Sequence, residues 1–320
     1  MLNVTSLYHI GIFTVQNYYY NNNFCSFYSF ILQNSFIFLT FVCMKQAMIF
    51  AAGLGTRLKP LTDKMPKALV PVGGVTLLEH VITRLKAAGY VRIVINVHHF
   101  ASQIVDFLAA NDNFGVDIRI SDESEQLLET GGGVRKAIPL FADDEPVLIH
   151  NVDILDNVDY NWFARQHLSD EDAVLLVSRR ATSRYLIFDN AMRLMGWTNT
   201  TTGEIKSPYE WMRTADGLEI DSTTMSCRLR TGNRPSSLSQ RPSPNASRTF
   251  YLFAFSGIHS FSPRLFPLMQ QFPDRFSIID FYLQTCHRAK IVGCVKNDLK
   301  MIDVGKLDSL DRAEKFLVEE

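Results

Sequence analysis

The sequence predicts an α/β fold: a Rossmann-like, mostly parallel sheet with helices on both faces and a small added β-hairpin region. Two observations carry this. From residue 44 to about residue 177, short β-branched runs alternate with stretches of helical spacing, the rhythm of a parallel sheet with crossover helices. Glycine-rich and charged residues directly follow several of the runs, where such a sheet places its ligand crevice.

The elements follow in order. Residues 47–51 are a buried strand. Leu77, Leu78, Val81, Ile82 and Leu85 put one apolar face on a helix over 76–88, closed by Gly89. Residues 91–97 (VRIVINV) read as a strand. Residues 100–110 read as a helix with Ile104, Phe107 and Leu108 on one face. Residues 116–120 alternate as a strand, 130–137 open a helix, and 147–150 form another strand. After a strand at 173–178 the rhythm changes, with short strands at 185–188 and 193–197. Residues 232–247 are rich in Ser, Pro and Arg and hold no acid, and are expected as an insertion or mobile loop within an insertion at about 209–248. The pattern then returns: a strand at 250–258, helices at 262–270 and 278–289, strands at 291–295 and 301–304, and an amphipathic helix at 307–317.

The chain has 320 residues, 47% hydrophobic and 20% charged, which suits a globular protein with one large α/β domain or two modest ones. A net charge of −1 argues against a nucleic-acid partner and makes any phosphate site local. The five cysteines are scattered with no Cys-x-x-Cys pair, so neither a disulfide framework nor a zinc site is expected, and a reducing cytoplasm fits. The first 44 residues contain no Lys, Arg, Asp or Glu. Residues 1–43 are read as a non-core extension, either translated leader or disordered, with a membrane anchor or a packed aromatic arm as alternatives. Met44 would then be the natural start, and the domain would run over 44–320.

The segment most able to hold a ligand is Ala51-Ala52-Gly53-Leu54-Gly55-Thr56-Arg57-Leu58, followed by Pro66-Lys67-Ala68-Leu69. Glycines let backbone amides approach a ligand, and Arg57 and Lys67 add two cations. That combination suits a polyanion such as a nucleoside triphosphate. A dinucleotide fingerprint would need glycine where Leu58 stands, and the Walker Gly-Lys-Ser/Thr is absent. Three further segments carry chemistry. Glu129-Thr130-Gly131-Gly132-Gly133 offers unshielded amides at a helix start. Asp153, in Asn151-Val152-Asp153, follows a strand and could hold a hard cation such as magnesium. Asp303, in Ile302-Asp303-Val304-Gly305, stands before the last helix.

Taken in this order, the four segments resemble the signature of the sugar-1-phosphate nucleotidyltransferases, over roughly residues 44–317 apart from 209–248. The resemblance leans toward the N-acetylmuramate-1-phosphate uridylyltransferases, through Leu128-Glu129-Thr130-Gly131-Gly132-Gly133 and Phe255-Ser256-Gly257-Ile258. It implies that Ala52, Gly53, Gly55, Thr56, Arg57 and Lys67 grip the triphosphate and that Glu129, Gly131 and Gly132 meet the base. Asn151, Gly257 and Lys206 would face the sugar phosphate. Asp153 and Asp303 would hold Mg2+, with Arg57, Lys67 and Asp153 catalytic. The implied partners are a nucleoside triphosphate, UTP favoured, and a sugar 1-phosphate; a homodimer stays open. Mannose-1-phosphate guanylyl and glucose-1-phosphate thymidylyl or uridylyl transfer remain alternatives. Val152 replaces the family's glycine, which opens a second class of reading: a catalytically weak sugar-nucleotide sensor.

Overall fold

The computed structural model describes residues 30–32, 35–37, 45–142, 145–230 and 248–319. The chain divides into two units, residues 1–43 and 44–320. In the first, strands Phe30–Leu32 and Ser35–Ile37 pair antiparallel, with Phe30 opposite Ile37. The remainder of the extension expected at 1–43 lies outside the described residues.

In the second unit, β1 (Gln46–Phe50) leads through the glycine loop to α1 (Leu77–Ala87), whose start is capped by the Thr76 hydroxyl accepting from the Glu79 amide. Then come β2 (Arg92–Val97), α2 (Ala101–Ala110), β3 (Asp117–Asp122), α3 (Glu129–Ala137) and β4 (Val147–Asn151). These strands are parallel in the order β4-β1-β2-β3. Side chains alternate between the sheet's two faces. Ala47, Ile49, Ile93 and Ile95 pack with α1 and α2, while Met48, Val94 and Ile149 pack with α3. The predicted helix-covered sheet is what the chain builds.

The second half adds antiparallel strands. They are β5 (Ile154–Asp156), β6 (Ala173–Ser178), β7 (Arg184–Phe188), β8 (Leu194–Asn199), β9 (Glu204–Lys206), β10 (Leu218–Asp221), β11 (Ser226–Leu229) and the twelve-residue β12 (Phe250–Phe261). Helix α4 (Ile278–Thr285), β13 (Ile291–Val295), β14 (Met301–Asp303) and α5 (Leu310–Glu319) complete the chain. The main sheet runs β9-β8-β7-β12-β4-β1-β2-β3, with β6 joined to β12 and β13. The long β12 changes partners along its length. Its residues 258–261 pair with β4, and its residues 251–253 pair with β7. Gly257, at φ +80, lies between these two stretches, beside the register shift where β12 meets β6. Only glycine adopts that backbone readily.

Residues 209–230, the first part of the insertion expected at 209–248 and polar in composition, hold regular structure. A short helix (Glu210–Arg213) and the β10–β11 pair occupy them, and β11 pairs with the start of β12. Met212, Cys227 and Leu229 bury with Ile187, Phe250 and Leu252 in a separate apolar cluster, and that burial orders the segment despite its polar composition. Residues 231–247 lie outside the described residues. Among the described residues no helix is long and apolar enough to cross a membrane.

Within β12, His259 is buried, hydrogen-bonded through Nδ1 to the Tyr282 hydroxyl at 2.5 Å. Burial holds its pKa down at about 3. Unfolding restores an ordinary histidine, near 6.5, which takes up a proton that the folded site refuses. Stability should therefore fall progressively as pH drops from about 6.5 toward 3. Urea midpoints across that range should show a shallower decline in His259→Gln than in the wild type.

Candidate active site

The site forms where β1 and β4 end side by side. Phe50 lies opposite Asn96 of β2 on one side and Asn151 of β4 on the other, so the chains leaving these strands enter one crevice. Ala52 is buried, whereas Gly53, Thr56 and Arg57 are exposed. Gly55 has φ +64, and its carbonyl accepts from the Leu58 amide and the Thr62 hydroxyl, both at 2.8 Å. A Cβ at Gly55 would stand 2.8 Å from Thr62 Cγ2, so only glycine fits this turn.

Lys67 is nearly buried, and its ammonium pairs with the Asp153 carboxylate. Asp153 follows β4, and its carbonyl accepts from the Val304 amide at 2.8 Å. The short ladder of β5 with β14 places Asp303 opposite Ile154, which brings the two aspartates together although 150 positions separate them in the chain. Burial, and then the Asp153 charge, push the Asp303 carboxyl above its ordinary pKa, while Lys67, Arg57 and Arg180 act the other way. Arg57 reaches the same spot: a Cβ on Gly305 would stand 2.6 Å from Asp303 Oδ1 and 2.8 Å from Arg57 Nη2. Two carboxylates and two cations from four separate segments thus meet at one crevice.

Val152 causes no distortion there. It is buried in the core at an ordinary negative φ, and its amide donates to the Phe50 carbonyl at 3.2 Å. Valine in place of the family's glycine brings no strain, because this backbone does not need a left-handed residue.

The glycine run differs from expectation. The Gly131 and Gly132 amides both donate to the Phe276 carbonyl, at 2.9 and 3.2 Å, so they are not free for a nucleotide. These glycines serve close packing. A Cβ on Gly131 would fall 2.4 Å from the Phe276 ring, and one on Gly132 would fall 2.5 Å from the Asp274 carbonyl oxygen. The Glu129 carboxylate is likewise engaged, accepting from Arg275 Nε at 2.9 Å. Arg135 adds bonds to the Phe272 carbonyl and the Asp274 carboxylate. Residues 272–276 therefore form a strap along α3.

The residues expected at the sugar end are placed as follows. Gly257 packs so closely on Asn151 that a Cβ would stand 2.6 Å from its Nδ2. Lys206 lies over the Trp197 ring, 3.8 Å from Asp280 Oδ1. It helps line a cleft of ≈ 410 Å³ together with Arg180, Arg184, Trp197, Phe255 and Asp280. Arg180 connects this cleft to Asp303 electrostatically.

Several buried polar residues that support the site went unread in the sequence. Asp156, at the end of β5, pairs with Arg84 Nη1 and His150 Nε2, each at 3.0 Å, and accepts from the Tyr160 hydroxyl at 3.1 Å. Burial alone would raise its pKa, but the His150 hydrogen bond and the nearby positive charges bring the carboxyl below its ordinary value. Asn96 and Glu123, the latter wholly buried, hydrogen-bond at 2.7 Å beneath the crevice. The only signal for these residues was a polar side chain within or next to an apolar strand. Among the described residues no group of three or more His, Cys, Asp or Glu converges as a metal cluster.

Residues 46–185 match the model of the Nucleotidyl transferase family. Over 111 residues the chain is 48% identical to the N-acetylmuramate alpha-1-phosphate uridylyltransferase of Caulobacter vibrioides, and over 115 residues it is 44% identical to the one of Neisseria meningitidis. These alignments take in 34% and 36% of this chain, and 46% and 49% of those proteins. The chain thus spans about half the length of these curated relatives. A mannose-1-phosphate guanyltransferase of Gibberella zeae is 28% identical over 216 residues, covering 66% of this chain and 58% of that protein. Among solved structures, the inositol-1-phosphate CTP transferase from T. maritima superimposes with a TM-score of 0.60 at 13% identity, covering 86% of this chain and 96% of that one. A UDP-glucose pyrophosphorylase complexed with UDP-glucose gives 0.59 at 14% identity, covering 86% and 99%. At these identities the structural likeness shows the fold alone.

The strap makes a direct prediction. Gly132→Val should force residues 274–276 off α3 and cost about 1–3 kcal/mol, as overpacking does. Hydrogen exchange should show lost protection at the Gly131 amide, and the thermal midpoint should fall.

Proposed function

We propose that this chain, whose residues 46–185 match the Nucleotidyl transferase family model, transfers a nucleotidyl group from a nucleoside triphosphate to a sugar 1-phosphate, releasing pyrophosphate. The observation that carries this reading is the meeting of Arg57, Lys67, Asp153 and Asp303 at one crevice, beside the glycine loop. Both reactants are anions and repel each other, so the site's main task is to cancel charge while holding an in-line geometry.

In this reading the sugar-phosphate oxygen attacks the α-phosphorus of the triphosphate and pyrophosphate leaves from the opposite side. The 52–58 loop wraps the triphosphate, and Arg57 stabilises the leaving pyrophosphate. Lys67, already held by Asp153, neutralises oxygens near the attacked centre. Asp153 and Asp303 fit a magnesium ion: both are hard oxygen donors, and burial beside Asp153 disfavours a bare charge on Asp303. When bound, the metal would offset negative charge on the phosphates. No covalent enzyme intermediate is needed.

For the substrates we favour N-acetylmuramate 1-phosphate and UTP, as in cell-wall recycling in the cytoplasm. The relatives at 44–48% identity support this choice. The cationic cleft of Arg180, Arg184 and Lys206 also suits an acidic sugar phosphate. Guanylyl transfer to mannose 1-phosphate is the nearest alternative, from the lower-identity relative. That Val152 is seated in the core without backbone strain favours transfer over the sensor reading.

Pyrophosphate release measured across four triphosphates and several sugar 1-phosphates with Mg2+ should be fastest with UTP and N-acetylmuramate 1-phosphate. Nucleotide binding without release in every pair would refute transfer. In the same assay Arg57→Ala and Asp153→Asn should each lower kcat/KM by on the order of 10²-fold or more, with little change in thermal midpoint for the exposed Arg57 and a lowered midpoint for Asp153→Asn, which leaves the nearly buried Lys67 without its counter-charge. Near-normal turnover in either variant would remove that residue from its role.

A further inference from the structure

We propose that the buried pair Asn96–Glu123 is a positioning device that holds the two loops flanking the nucleotide site in register, so that Glu123 sets nucleoside triphosphate affinity without touching substrate. The proposal rests on the nucleotidyl-transfer reading above. A single hydrogen-bonded chain carries it. The Ala51 amide, the first of the glycine loop, donates to Asn96 Oδ1 at 2.8 Å. Asn96 Nδ2 donates to Glu123 Oε1 at 2.7 Å. Glu123 Oε2 accepts from the amide of Leu128, the residue that caps α3, at 3.0 Å. The entrance of one loop is thereby tied to the end of the other across the top of β2.

Everything about the pair is arranged for that connection. Glu123 is 0% exposed and Asn96 is 3% exposed, so neither can meet solvent. Burying a carboxylate is costly unless its oxygens are satisfied, and here each oxygen takes one donor. The polarity of the chain is forced: Ala51 and Leu128 both present N–H groups, so the middle must supply an acceptor to each end. An amide and a carboxylate in series do this, whereas two amides cannot. His98 Nδ1 contacts the Glu123 carbonyl at 2.7 Å and anchors the residue's backbone. Gly133 leaves the room required, since a Cβ there would stand 2.8 Å from Glu123 Oε1 and 3.1 Å from Asn96 Nδ2. The third glycine of the run is thus explained by the carboxylate it faces. Because the interior transmits displacement, losing one bond of this chain would shift the loop carrying Gly53 and Gly55 relative to α3.

The test is a charge swap. Glu123→Gln leaves a donor facing a donor at one end. Calorimetric titration with a non-hydrolysable UTP analogue should show its Kd raised about tenfold or more, as for loss of a charged hydrogen bond. KM for UTP should rise in step, while KM for the sugar 1-phosphate changes less than about twofold. Combining Asn96→Asp with Glu123→Gln moves the carboxylate one place along the chain. It then accepts from Ala51 and from the new amide, whose oxygen accepts from Leu128. Every donor again has an acceptor, and Kd should return to within about threefold of wild type. A merely structural role predicts a lowered thermal midpoint with both KM values moving together, and that outcome overturns the proposal. So does an unchanged Kd in Glu123→Gln, or a folded double variant that binds as weakly as the single one. Should Glu123→Gln not fold, the double variant decides alone. If the wild type binds no UTP analogue, the nucleotide-site reading falls and the relay falls with it.

Discussion

The constraint on which the rest of the molecule depends is the placement of β1 between β2 and β4. Phe50 is in register with Asn96 on one side and Asn151 on the other. That register lets the chain leave three adjacent strands at one edge and enter a common crevice. A slip of one residue would turn Met48 and its neighbours to the opposite faces of the sheet and strand the loop amides away from Asp153. The apolar alternation of β1, with Ala47 and Ile49 packing toward one helical layer and Met48 toward the other, holds the register.

On that scaffold, charge is assembled from distant parts of the chain. Lys67 comes from a loop after β1, Asp153 from the end of β4, and Asp303 from a ladder closed near the carboxyl terminus. Each is supported from beneath. The Arg84–Asp156–His150 cluster anchors β5, and the Asn96–Glu123 pair ties the two loops. Buried polar groups of this kind are costly when half-satisfied, and their near-complete pairing here is consistent with a site whose geometry is set before substrate arrives. Among the described residues only the Ser121 hydroxyl is buried without a partner.

The antiparallel half has a different logic. Gly257 bends β12 so that one strand serves two partners, and the same bend presses it against Asn151. The sugar-end cleft is therefore a product of the kink as much as of the cations that line it. The strap over α3 follows similar reasoning, since three glycines remove the side chains that would keep residues 274–276 and Glu123 at a distance.

The parallel strands, their helices, the glycine loop and Asp153 were legible in the sequence, because they depend on local patterns: apolar periodicity, glycine at a turn, and an acid just past a strand; Asp303, the last residue of β14, stood out only through the family resemblance. What the glycines at 131–133 contact was not legible, because the same residues can present free amides or admit a close neighbour. Only the arrival of Phe276 from 145 positions away decides between these. The order of residues 209–230 escaped reading for a related reason, since their burial partners Phe250 and Leu252 lie beyond a polar stretch. The sequence by itself determined which chemical groups this protein owns and which strands deliver them. The tertiary structure alone decided which groups face one another, because pairing a carboxylate with a cation, or a carbonyl with an amide, depends on distances set by packing rather than by spacing along the chain.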